Sequence, residues 1–411
     1  MTVVPAVSAE ALPYPFEPDR LTVDPRFAAM REKQPVSRVR LPFGGEAWLL
    51  TRYADVRAML VDRRFMRSLT VGKDAPRATE AIESESSIIT MDPPEHSRLR
   101  RLVMKAFTPK RVELLEPRIQ QLADELADGM IQAGPPVDLV RNFAIPLPII
   151  ALCELLGVPR EDREKVHSWT DTMLSLSGAG QDFTEIMNAQ RELWGYIAGL
   201  VAERRENPTD DLIGALVRAR DDEGRLTEGE LIDLSGGILA VGHETTANHI
   251  ANLTYTLLTH PDQLARLRAD PGLLPSAVEE LVRFVPLNAS TGFAHIATED
   301  VEIGGRLIRA GEAVFADLDA ANRDAAVFER PEELDVARPR NHHVGFGHGP
   351  HHCLGAQMAR VELRVAIGTL LNRFPDLGLA VEPEEVPWLA GRRQRGPEAL
   401  PLTWTEALPA R

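Results

Sequence analysis

The sequence predicts a mostly helical fold with small β-sheets. Between Pro94 and His260, apolar residues recur every three or four positions, as in EPRIQQLADELADGMIQAG, and this spacing is typical of amphipathic helices. Alternation typical of β-strands is confined to short segments, EAWLLTRY near the N-terminus and VEIGGRLIRAGEAVFADL in the C-terminal half. Helices are therefore expected to form most of the protein.

Length and composition limit the class of protein. The chain has 411 residues without a low-complexity linker or a repeat, so residues 1–411 are expected to form a single domain. A net charge of −15 argues against nucleic-acid binding. The two cysteines cannot build a disulfide framework, and Cys153, in an apolar run, is expected to be a buried hydrophobic residue. We expect a cytoplasmic protein, because neither a secretory signal nor a membrane-spanning apolar run is recognisable.

One predicted helix is unusually long and has a polar centre. It runs from Thr227, where TEGE suits a capping box with Glu230, to His260, and it would be roughly 50 Å long. Its flanks are apolar, but its middle reads VGHETTAN and includes Glu244. Buried ionisable groups are costly unless they are paired. This centre is therefore expected either to face solvent or to have a function.

The segment NHHVGFGHGPHHCLG, residues 341–355, contains one of the two cysteines and five of the eleven histidines. It is followed by LGAQMARVELRVAIGTLLNRF, a predicted amphipathic helix that ends before Pro375. The helix dipole and free N–H groups are expected to lower the pKa of Cys353. Gly345, Gly347 and Gly349 allow left-handed turns close to a partner of the thiolate.

Three partners of a Cys353 thiolate are compatible with this segment. Zinc could use His348, His351 and His352, although the chain has no CxxC pair. A nucleophilic cysteine would need a histidine base and an orienting group. A haem iron would take one axial thiolate.

Residues 346–355, FGHGPHHCLG, resemble the haem-binding signature of cytochromes P-450, F-x-x-G-x-(R/H)-x-C-x-G, at every fixed position. The resemblance implies haem b as cofactor and Cys353 as the metal ligand. It implies that Phe346, Gly347 and Gly355 belong to the loop that contacts the cofactor. It also implies the cytochrome P-450 fold, with haem between a long central distal helix and a proximal cysteine loop.

Two further segments fit this family in the same order. EELVR contains Glu280 and Arg283, which match the family's E-x-x-R, and FERPEELDVAR contributes Arg338. E-x-x-R alone is commonplace, so the order and the spacing carry the weight. The resemblance implies a buried Glu-Arg-Arg network that fixes the loop of Cys353.

Four residues are implied to contact the haem propionates. His96 and Arg100 in DPPEHSRLRRLVMKAFT match the family's H-x-x-x-R pair, and His351 fills the Arg/His position of the cysteine loop. His295 in FAHIATEDVEIGG stands where the family usually has Arg. Because histidine titrates near neutrality and arginine does not, this contact is expected to be weaker and pH-dependent.

The centre of the long helix also resembles a family motif. VGHETT, residues 241–246, is similar to (A/G)-G-x-(D/E)-T-(T/S), which crosses the distal face of the haem. Glu244 and Thr245 are then implied to be the catalytic acid-alcohol pair that passes protons towards dioxygen. Val241 stands where Ala or Gly is usual, and its branched side chain is expected to narrow the space above the iron.

The resemblance implies a monooxygenase that inserts one oxygen atom of O2 into an organic substrate by hydroxylation or epoxidation. The chain has no flavin or nicotinamide motif and no cysteine cluster, so a ferredoxin and a ferredoxin reductase are the expected electron donors. A basic run is the predicted docking site, and a solvated helix is the alternative. Its cations are Arg98, Arg101, Lys105, Lys110 and Arg111.

The substrate is expected to be a medium-sized, partly polar molecule, because NASTGFA mixes small, polar and aromatic residues. The predicted pocket comprises Leu239, Val241, Asn288, Thr291 and Phe293, with the loop 66–89 and the turn LSLSGAGQDF. The chain resembles bacterial enzymes that tailor macrolides, polyketides or peptides. Oxidative C–C or C–N coupling, peroxide-driven oxidation and a non-catalytic haem sensor remain as alternatives.

Overall fold

The computed structural model describes residues 11–16, 19–79, 82, 87–105, 107–174, 183–222, 224–288, 292–390 and 393–410. The predicted fold class is confirmed, since helices dominate these ranges. No helix in them is both long and apolar enough to cross a membrane. The α-helices are α1 Arg26–Lys33, α2 Tyr53–Val61, α3 Glu95–Val103, α4 Pro109–Ala133, α5 Pro146–Leu156, α6 Arg163–Leu174, α7 Phe183–Glu206, α8 Leu212–Asp221, α9 Glu228–Val241, α10 Glu244–Leu258, α11 Pro261–Ala269, α12 Leu274–Phe284, α13 Leu318–Ala321 and α14 Ala356–Arg373.

The strands form small sheets, as predicted, and both strand-like segments of the sequence contribute to them. The strands are β1 Leu12–Pro13, β2 Val36–Arg40, β3 Glu46–Leu50, β4 Phe65–Met66, β5 Val137–Asp138, β6 His295–Ala297, β7 Val301–Ile303, β8 Arg306–Ile308, β9 Ala313–Ala316, β10 Gly378–Leu379 and β11 Pro401–Thr403. The largest sheet has the order β1-β2-β3-β9-β6-β4. In it β1 pairs with β2, and β3 with β9, in parallel, whereas the other neighbours are antiparallel. The other sheets are β10-β11-β5 and the hairpin β7-β8.

The main hydrophobic core lies between the helices. α14 packs along α4 and also contacts α10 and α12, so the helix that follows the cysteine segment is central to this core. Cys153 of α5 is fully buried there, as expected, and burial raises the pKa of its thiol to about 12. Two smaller clusters lie against the largest sheet, one with α2 and one with the N-terminal segment and α1.

The long central helix is interrupted at its polar centre. α9 ends at Val241 and α10 begins at Glu244, so the prediction of one continuous helix from Thr227 to His260 is wrong. The capping box at the start of α9 is present, because the side chains of Thr227 and Glu230 each accept a hydrogen bond from the other's backbone N–H.

Two polar side chains explain the interruption. His243 Nδ1 donates to the carbonyl of Leu239 at 3.1 Å, and Thr245 Oγ1 donates to the carbonyl of Val241 at 3.3 Å. In a continuous helix these carbonyls would accept from the backbone N–H groups of the same two residues. Side chains that bond to the carbonyl four residues earlier bend or open a helix. The VGHETT residues therefore break the helix where they were predicted to be functional.

Candidate active site

A cavity of about 1040 Å³ lies between the interruption of the central helix and the segment that carries Cys353. Most residues that the sequence singles out line it, although they come from distant parts of the chain. They are His96, Arg100, Val241, Thr245, Asn288, Phe293, His295, Phe346, Gly347, His351, Cys353 and Gly355. The structure thus brings the predicted site together around one space.

Two predicted residues do not line the cavity, and the structure does not describe a third. Leu239 is fully buried in the helical core, so its prediction as a pocket residue is wrong. At the end of α9 and the start of α10, the residues that face the cavity include Ile238, Val241 and Thr245. Leu239 points to a different side of the helix. Glu244 lies next to the cavity wall but is not part of it. Thr291 lies outside the described residues, as do residues 175–182 of the predicted turn.

The loop of Cys353 is held by backbone contacts. The N–H of Cys353 donates to the carbonyl of Phe346 at 2.8 Å. Gly347 and Gly349 have φ angles of +74° and +71°, which L side chains rarely adopt. A Cβ at Gly349 would also lie 2.5 Å from the carbonyl oxygen of Leu60, so this position requires glycine. The loop is consequently closed, and the exposed surface of Cys353 faces the cavity.

Cys353 lies three residues before the first residue of α14 rather than within its first turn. Burial raises the pKa of its thiol, and the lowering by the Gly355 amide, Arg100 and Arg360 is smaller. The expectation that the helix end alone lowers this pKa is therefore wrong for the protein on its own. A thiolate at this position would be stabilised by a bound cation.

Two histidines next to Cys353 leave buried nitrogen atoms without hydrogen-bond partners. These atoms are Nδ1 of His96 and Nε2 of His351, and no partner for either is found in the part of the chain that the structure describes. The two rings lie 4.2 Å apart between centroids. Burial, together with nearby arginines, lowers the pKa of His351 to about 3. Because buried polar atoms are normally satisfied, a ligand with polar groups is expected here.

Arginine side chains lie at the same end of the cavity. Arg100 Nη2 donates to the carbonyl of His352 at 2.6 Å, which ties α3 to the cysteine loop. Arg67 also lines the cavity and donates from Nε to Nε2 of His295 at 3.0 Å. The sequence reasoning missed Arg67, although its position just after β4, the strand paired with β6, could have revealed it.

The predicted Glu-Arg-Arg cluster lies behind the cysteine loop and is fully enclosed. Arg283 donates to both carboxylate oxygens of Glu280 at 2.8 Å, and Arg338 Nε donates to Oε2 at 2.8 Å. The same carboxylate accepts from the Asp335 amide and from Asn341 Nδ2, each at 3.0 Å. Asn341 begins the segment that leads to Cys353, so the cluster is linked to this loop.

The opposite wall carries hydroxyl and carboxyl groups. Thr245 and Thr246 face the cavity beside Val241, whose side chain is 40% exposed towards it. The sequence reasoning also missed Glu362 of α14, which is buried at the cavity wall within reach of the Thr246 hydroxyl. Burial raises the pKa of Glu362 to about 8. This carboxyl group is therefore largely protonated at neutral pH.

The geometry does not support two of the three partners considered for Cys353. In the described ranges, no group of three or more His, Cys, Asp or Glu residues is arranged to hold a metal ion, which disfavours a zinc site. Cys353 Sγ makes no hydrogen bond to a histidine in those ranges, so no nucleophile-base pair is formed.

A haem fits the residues that are present. The cavity offers a thiol on one wall, an apolar and hydroxyl-bearing wall opposite, and at one end two arginines and three histidines that each have an unpartnered nitrogen, namely His96, His295 and His351. A haem has an iron that accepts a thiolate and two propionates that accept hydrogen bonds. The arginine N–H groups and the open histidine nitrogen atoms at this end are therefore polar groups that haem propionates could satisfy.

Comparisons with known proteins agree with this fit. The family model for cytochrome P450 matches residues 272–384. The chain is 48% identical to mycinamicin IV hydroxylase/epoxidase of Micromonospora griseorubida over 398 residues, which cover 97% of this chain and all of the relative. It is 49% identical to nocardicin C N-oxygenase of Nocardia uniformis subsp. tsuyamanensis over 393 residues, 95% of this chain and 98% of the relative.

Solved structures extend the similarity to the fold. The mixed-function P450 MycG superposes with a TM-score of 0.90 at 48% identity, covering 96% of this chain and all of MycG. The LnmA cytochrome P450 hydroxylase of the leinamycin pathway of Streptomyces atroolivaceus gives a TM-score of 0.90 at 49% identity, with 96% and 100% coverage.

Proposed function

The chain belongs to the cytochrome P450 family and is a haem-thiolate monooxygenase, and we propose that Cys353 holds haem b and that the substrate is a medium-sized secondary metabolite. The observation that carries this proposal is the position of Cys353. Its thiol faces a cavity of about 1040 Å³, and arginines and histidines with unpartnered nitrogen atoms line the same cavity. These are the groups that would bind the iron and the propionates.

The cysteine wall would hold the cofactor and the opposite wall would serve the reaction. Bound haem would supply an iron that activates O2 with two electrons and two protons. Phe346, Gly347 and Gly355 line the cavity beside Cys353 and would bound the cofactor on the thiolate side. Val241 would narrow the space opposite the thiol, because its branched side chain reaches into the cavity.

Thr245 and Glu244 are proposed to move protons. The Thr245 hydroxyl faces the cavity and donates at 3.3 Å to the carbonyl of Val241, the last residue of α9, so it can rotate towards a substrate-side acceptor. Glu244 precedes Thr245 in α10 and lies outside the cavity wall, and its proposed role is to supply protons from that side. Glu362 is a second proton store on this wall, since its carboxyl group is protonated near pH 7.

This relay has a direct test. In Thr245→Ala and Glu244→Gln, electron consumption is expected to continue while product per electron falls roughly tenfold or more, because general acid catalysis is lost. Product and reduced nicotinamide are measured together with a ferredoxin pair. Full coupling in both variants would instead favour the peroxide-driven alternative.

The substrate pocket is proposed on the cavity side away from the arginines. Its lining is mainly apolar and includes Met173, Ile186, Met187 and Trp194, none of which the sequence reasoning named. Asn288 and Phe293 also line the cavity and are proposed to contact the substrate. Relatives named for mycinamicin and nocardicin support a macrolide, polyketide or peptide substrate. This substrate class is tested by titrating macrolides, polyketides and peptides into the protein and following the position of the haem absorption band. No shift of the band with any of the three types would contradict the proposal.

The electron donors are proposed to be a ferredoxin and its reductase, with docking near α3. Arg101, Lys105, Lys110 and Arg111 are exposed. Arg98 is less available, because its guanidinium pairs with Glu230 and donates to the carbonyl of Arg225. The Arg100 contact with the cysteine loop places this helix beside the thiolate side of the cavity, where an electron would enter.

Absorption spectroscopy tests the central proposal. Wild type and Cys353→Ala are reduced with dithionite and treated with CO, and the haem type is determined as its pyridine complex. A strongly red-shifted Soret band in wild type that is lost in the variant is expected, with a haem b pyridine spectrum. A Soret position indifferent to Cys353, or absence of haem, would refute the assignment.

We also propose that residues 1–411 form one domain in the cytoplasm. One cavity is lined by residues from Tyr14 to Arg395, which supports a single unit. The free cysteines Cys153 and Cys353 agree with a reducing compartment. A single cooperative unfolding transition and recovery in the cytoplasmic fraction are expected, and separable transitions or export would contradict them.

A further inference from the structure

Arg67 is a partly buried cation that faces the cavity. It lies immediately after β4, whose antiparallel pairing aligns Met66 with Ile296. The next pair in this register is Arg67 with His295, so the two side chains emerge side by side at the end of the sheet. Both line the cavity next to His351.

The partners of the Arg67 guanidinium are all neutral. Nε donates to His295 Nε2 at 3.0 Å, Nη1 donates to the Ile89 carbonyl at 3.1 Å, and the group stacks 5.1 Å from the centre of the Phe293 ring. The nearest acid, Asp92, accepts instead from the backbone N–H groups of Arg67 and Ser68.

No ion pair neutralises Arg67 in the part of the chain that the structure describes. Burial lowers the pKa of its guanidinium to about 10, against a smaller opposite effect of Asp92, and at neutral pH it remains charged. A buried charge without a partner is strongly unfavourable. An anion is therefore expected on its cavity side.

His295 positions Arg67 rather than binding that anion through the same nitrogen. An arginine N–H can only donate, so Nε2 of His295 accepts and carries no proton in this arrangement. Burial, and then the charge of Arg67, lowers the pKa of His295 well below its usual value. The prediction that His295 forms a propionate contact that titrates near neutrality is therefore wrong. The cation beside His295 is Arg67, which stays charged at neutral pH.

The number and location of the charges identify the anion. Arg100 is the second guanidinium at this end of the cavity, and within the described ranges its hydrogen bond goes to the neutral carbonyl of His352. His96 and His351 lie between them with unpartnered nitrogen atoms. Two guanidiniums that no acid neutralises in the described ranges, and three histidines with an unpartnered nitrogen, His295 Nδ1 included, match a ligand with two carboxylates, which is what the propionates of a haem provide.

We propose that Arg67 binds a haem propionate and that His295 holds the Arg67 side chain in place. Arg67 would then supply the arginine contact that position 295 itself lacks. The inference rests on the haem site of the proposed function. It assigns Arg67 to the cofactor rather than to the substrate, and it makes His295 a positioning residue.

Haem release tests this assignment in the haem-loaded protein. The loss of Soret absorbance is followed after addition of excess apomyoglobin as haem acceptor. Arg67→Ala is expected to release haem about 10- to 100-fold faster than wild type, since a charged hydrogen bond is removed. Arg67→Lys should lie between the two, because the charge stays but the fork geometry is lost. Arg64→Ala is the matched control, because Arg64 lies just before β4 and pairs with Asp62 on the surface.

A second arm separates a propionate contact from a structural role. The same proteins are loaded with haem whose two propionates are methyl esters. The difference between wild type and Arg67→Ala is expected to shrink to about twofold or less, because the charged partner of Arg67 is absent. If Arg67→Ala does not fold, Arg67→Gln takes its place in both arms.

Three results would decide against the assignment. Equal release rates for wild type and Arg67→Ala would overturn it, and so would a difference that persists with the diester, which would indicate a structural or substrate role. Both leave the monooxygenase assignment intact if the wild-type CO complex keeps its red-shifted band. A wild type without thiolate-bound haem would overturn the proposed function and this inference together.

Discussion

Two buried groups of charged residues in this protein differ in how their charges are neutralised. Around Glu280, one carboxylate accepts from Arg283, Arg338 and two further donors at 2.8–3.0 Å, so acid and base meet inside the protein. At the end of the cavity, Arg67 and Arg100 are partly buried, and their hydrogen bonds in the described ranges go to neutral acceptors.

The difference separates a structural cluster from a binding site. A network that satisfies itself has no capacity left for a ligand, and its value lies in fixing the chain around it. Cations that remain uncompensated in the protein are stabilised only when an anion arrives. The Glu280 cluster is therefore expected to matter for folding, and the cavity cluster for cofactor binding.

Breaking the self-satisfied cluster should have the largest effect. Glu280→Ala leaves Arg283 and Arg338 buried without their carboxylate, and this should lower the free energy of unfolding by about 3–5 kcal/mol. Urea unfolding of the haem-loaded protein measures it. Glu299→Ala is the surface control, since its pair with Arg64 is exposed. A loss in Glu280→Ala as small as in the control would contradict a structural role.

A neutral buried histidine should turn into an uncompensated cation at low pH. His243 is fully buried between Thr170 Oγ1 and the Leu239 carbonyl, each at 3.1 Å, and faces the His167 ring. Burial, and then His167, lowers its pKa from 6.5 to about 4, while Leu239 and Asp171 oppose this. Neutral His243 therefore contributes fully to the free energy of unfolding above pH 6.5. As the pH falls towards 4, the unfolded chain takes up the proton first, and the free energy of unfolding falls by roughly 3 kcal/mol.

The variant His243→Gln isolates this contribution. It does not titrate, so the free energy of unfolding should fall less between pH 6.5 and 4 than in wild type. Urea midpoints at several pH values provide the comparison. The free energy of unfolding of the variant should still depend on pH, partly because of His249. Burial also lowers the pKa of His249 to about 4. Parallel curves for wild type and variant would refute the role of His243.

The effect of removing a cavity cation on stability should depend on whether haem is bound. In the haem-loaded protein, Arg100→Gln should lower stability by about 1.5–3 kcal/mol, because a charged hydrogen bond is lost. In the haem-free protein the same change should be within about 1 kcal/mol of neutral, because it removes a buried charge without an acid partner. Thermal unfolding of both forms measures this, and equal destabilisation in both would show that Arg100 is structural.

Short motifs explain why much of the site was predictable from the sequence. Cys353 and its glycines lie within one segment, His96 and Arg100 are one helical turn apart, and Glu280 and Arg283 are three residues apart on α12. Such spacings survive in the sequence because each motif is local. The fold class was predictable for the same reason, since helix periodicity and strand alternation are local patterns.

The parts that the sequence did not reveal depend on contacts between distant segments. Arg67 meets His295 because β4 pairs with β6, and 228 residues separate the two side chains. The pKa of Glu362 depends on burial at the cavity wall, which its helix pattern cannot indicate. The break in the central helix depends on side chains that compete with backbone donors, a choice that helix periodicity does not encode.

The smallest expected effect concerns exposed cations, which are neither paired nor buried. In the double variant Arg101→Glu and Lys105→Glu, the KM for ferredoxin should rise roughly 2- to 10-fold with kcat little changed, because rim charges mainly steer encounter. The dependence of turnover on salt should weaken at the same time. Arg306→Glu, on the exposed hairpin β7-β8, is the matched control.

Arg98 sharpens this comparison because its charge is already used within the protein. Its guanidinium pairs with Glu230, which also caps α9, so Arg98→Ala should alter ferredoxin turnover less than the double variant does. Steady-state assays at low and high salt measure both. A larger effect of Arg98→Ala, or unchanged kinetics in the double variant, would remove α3 as the docking site. The exposed cations would then be no more than a solvated helix face, and only the cavity cations Arg67 and Arg100 would have a role in function.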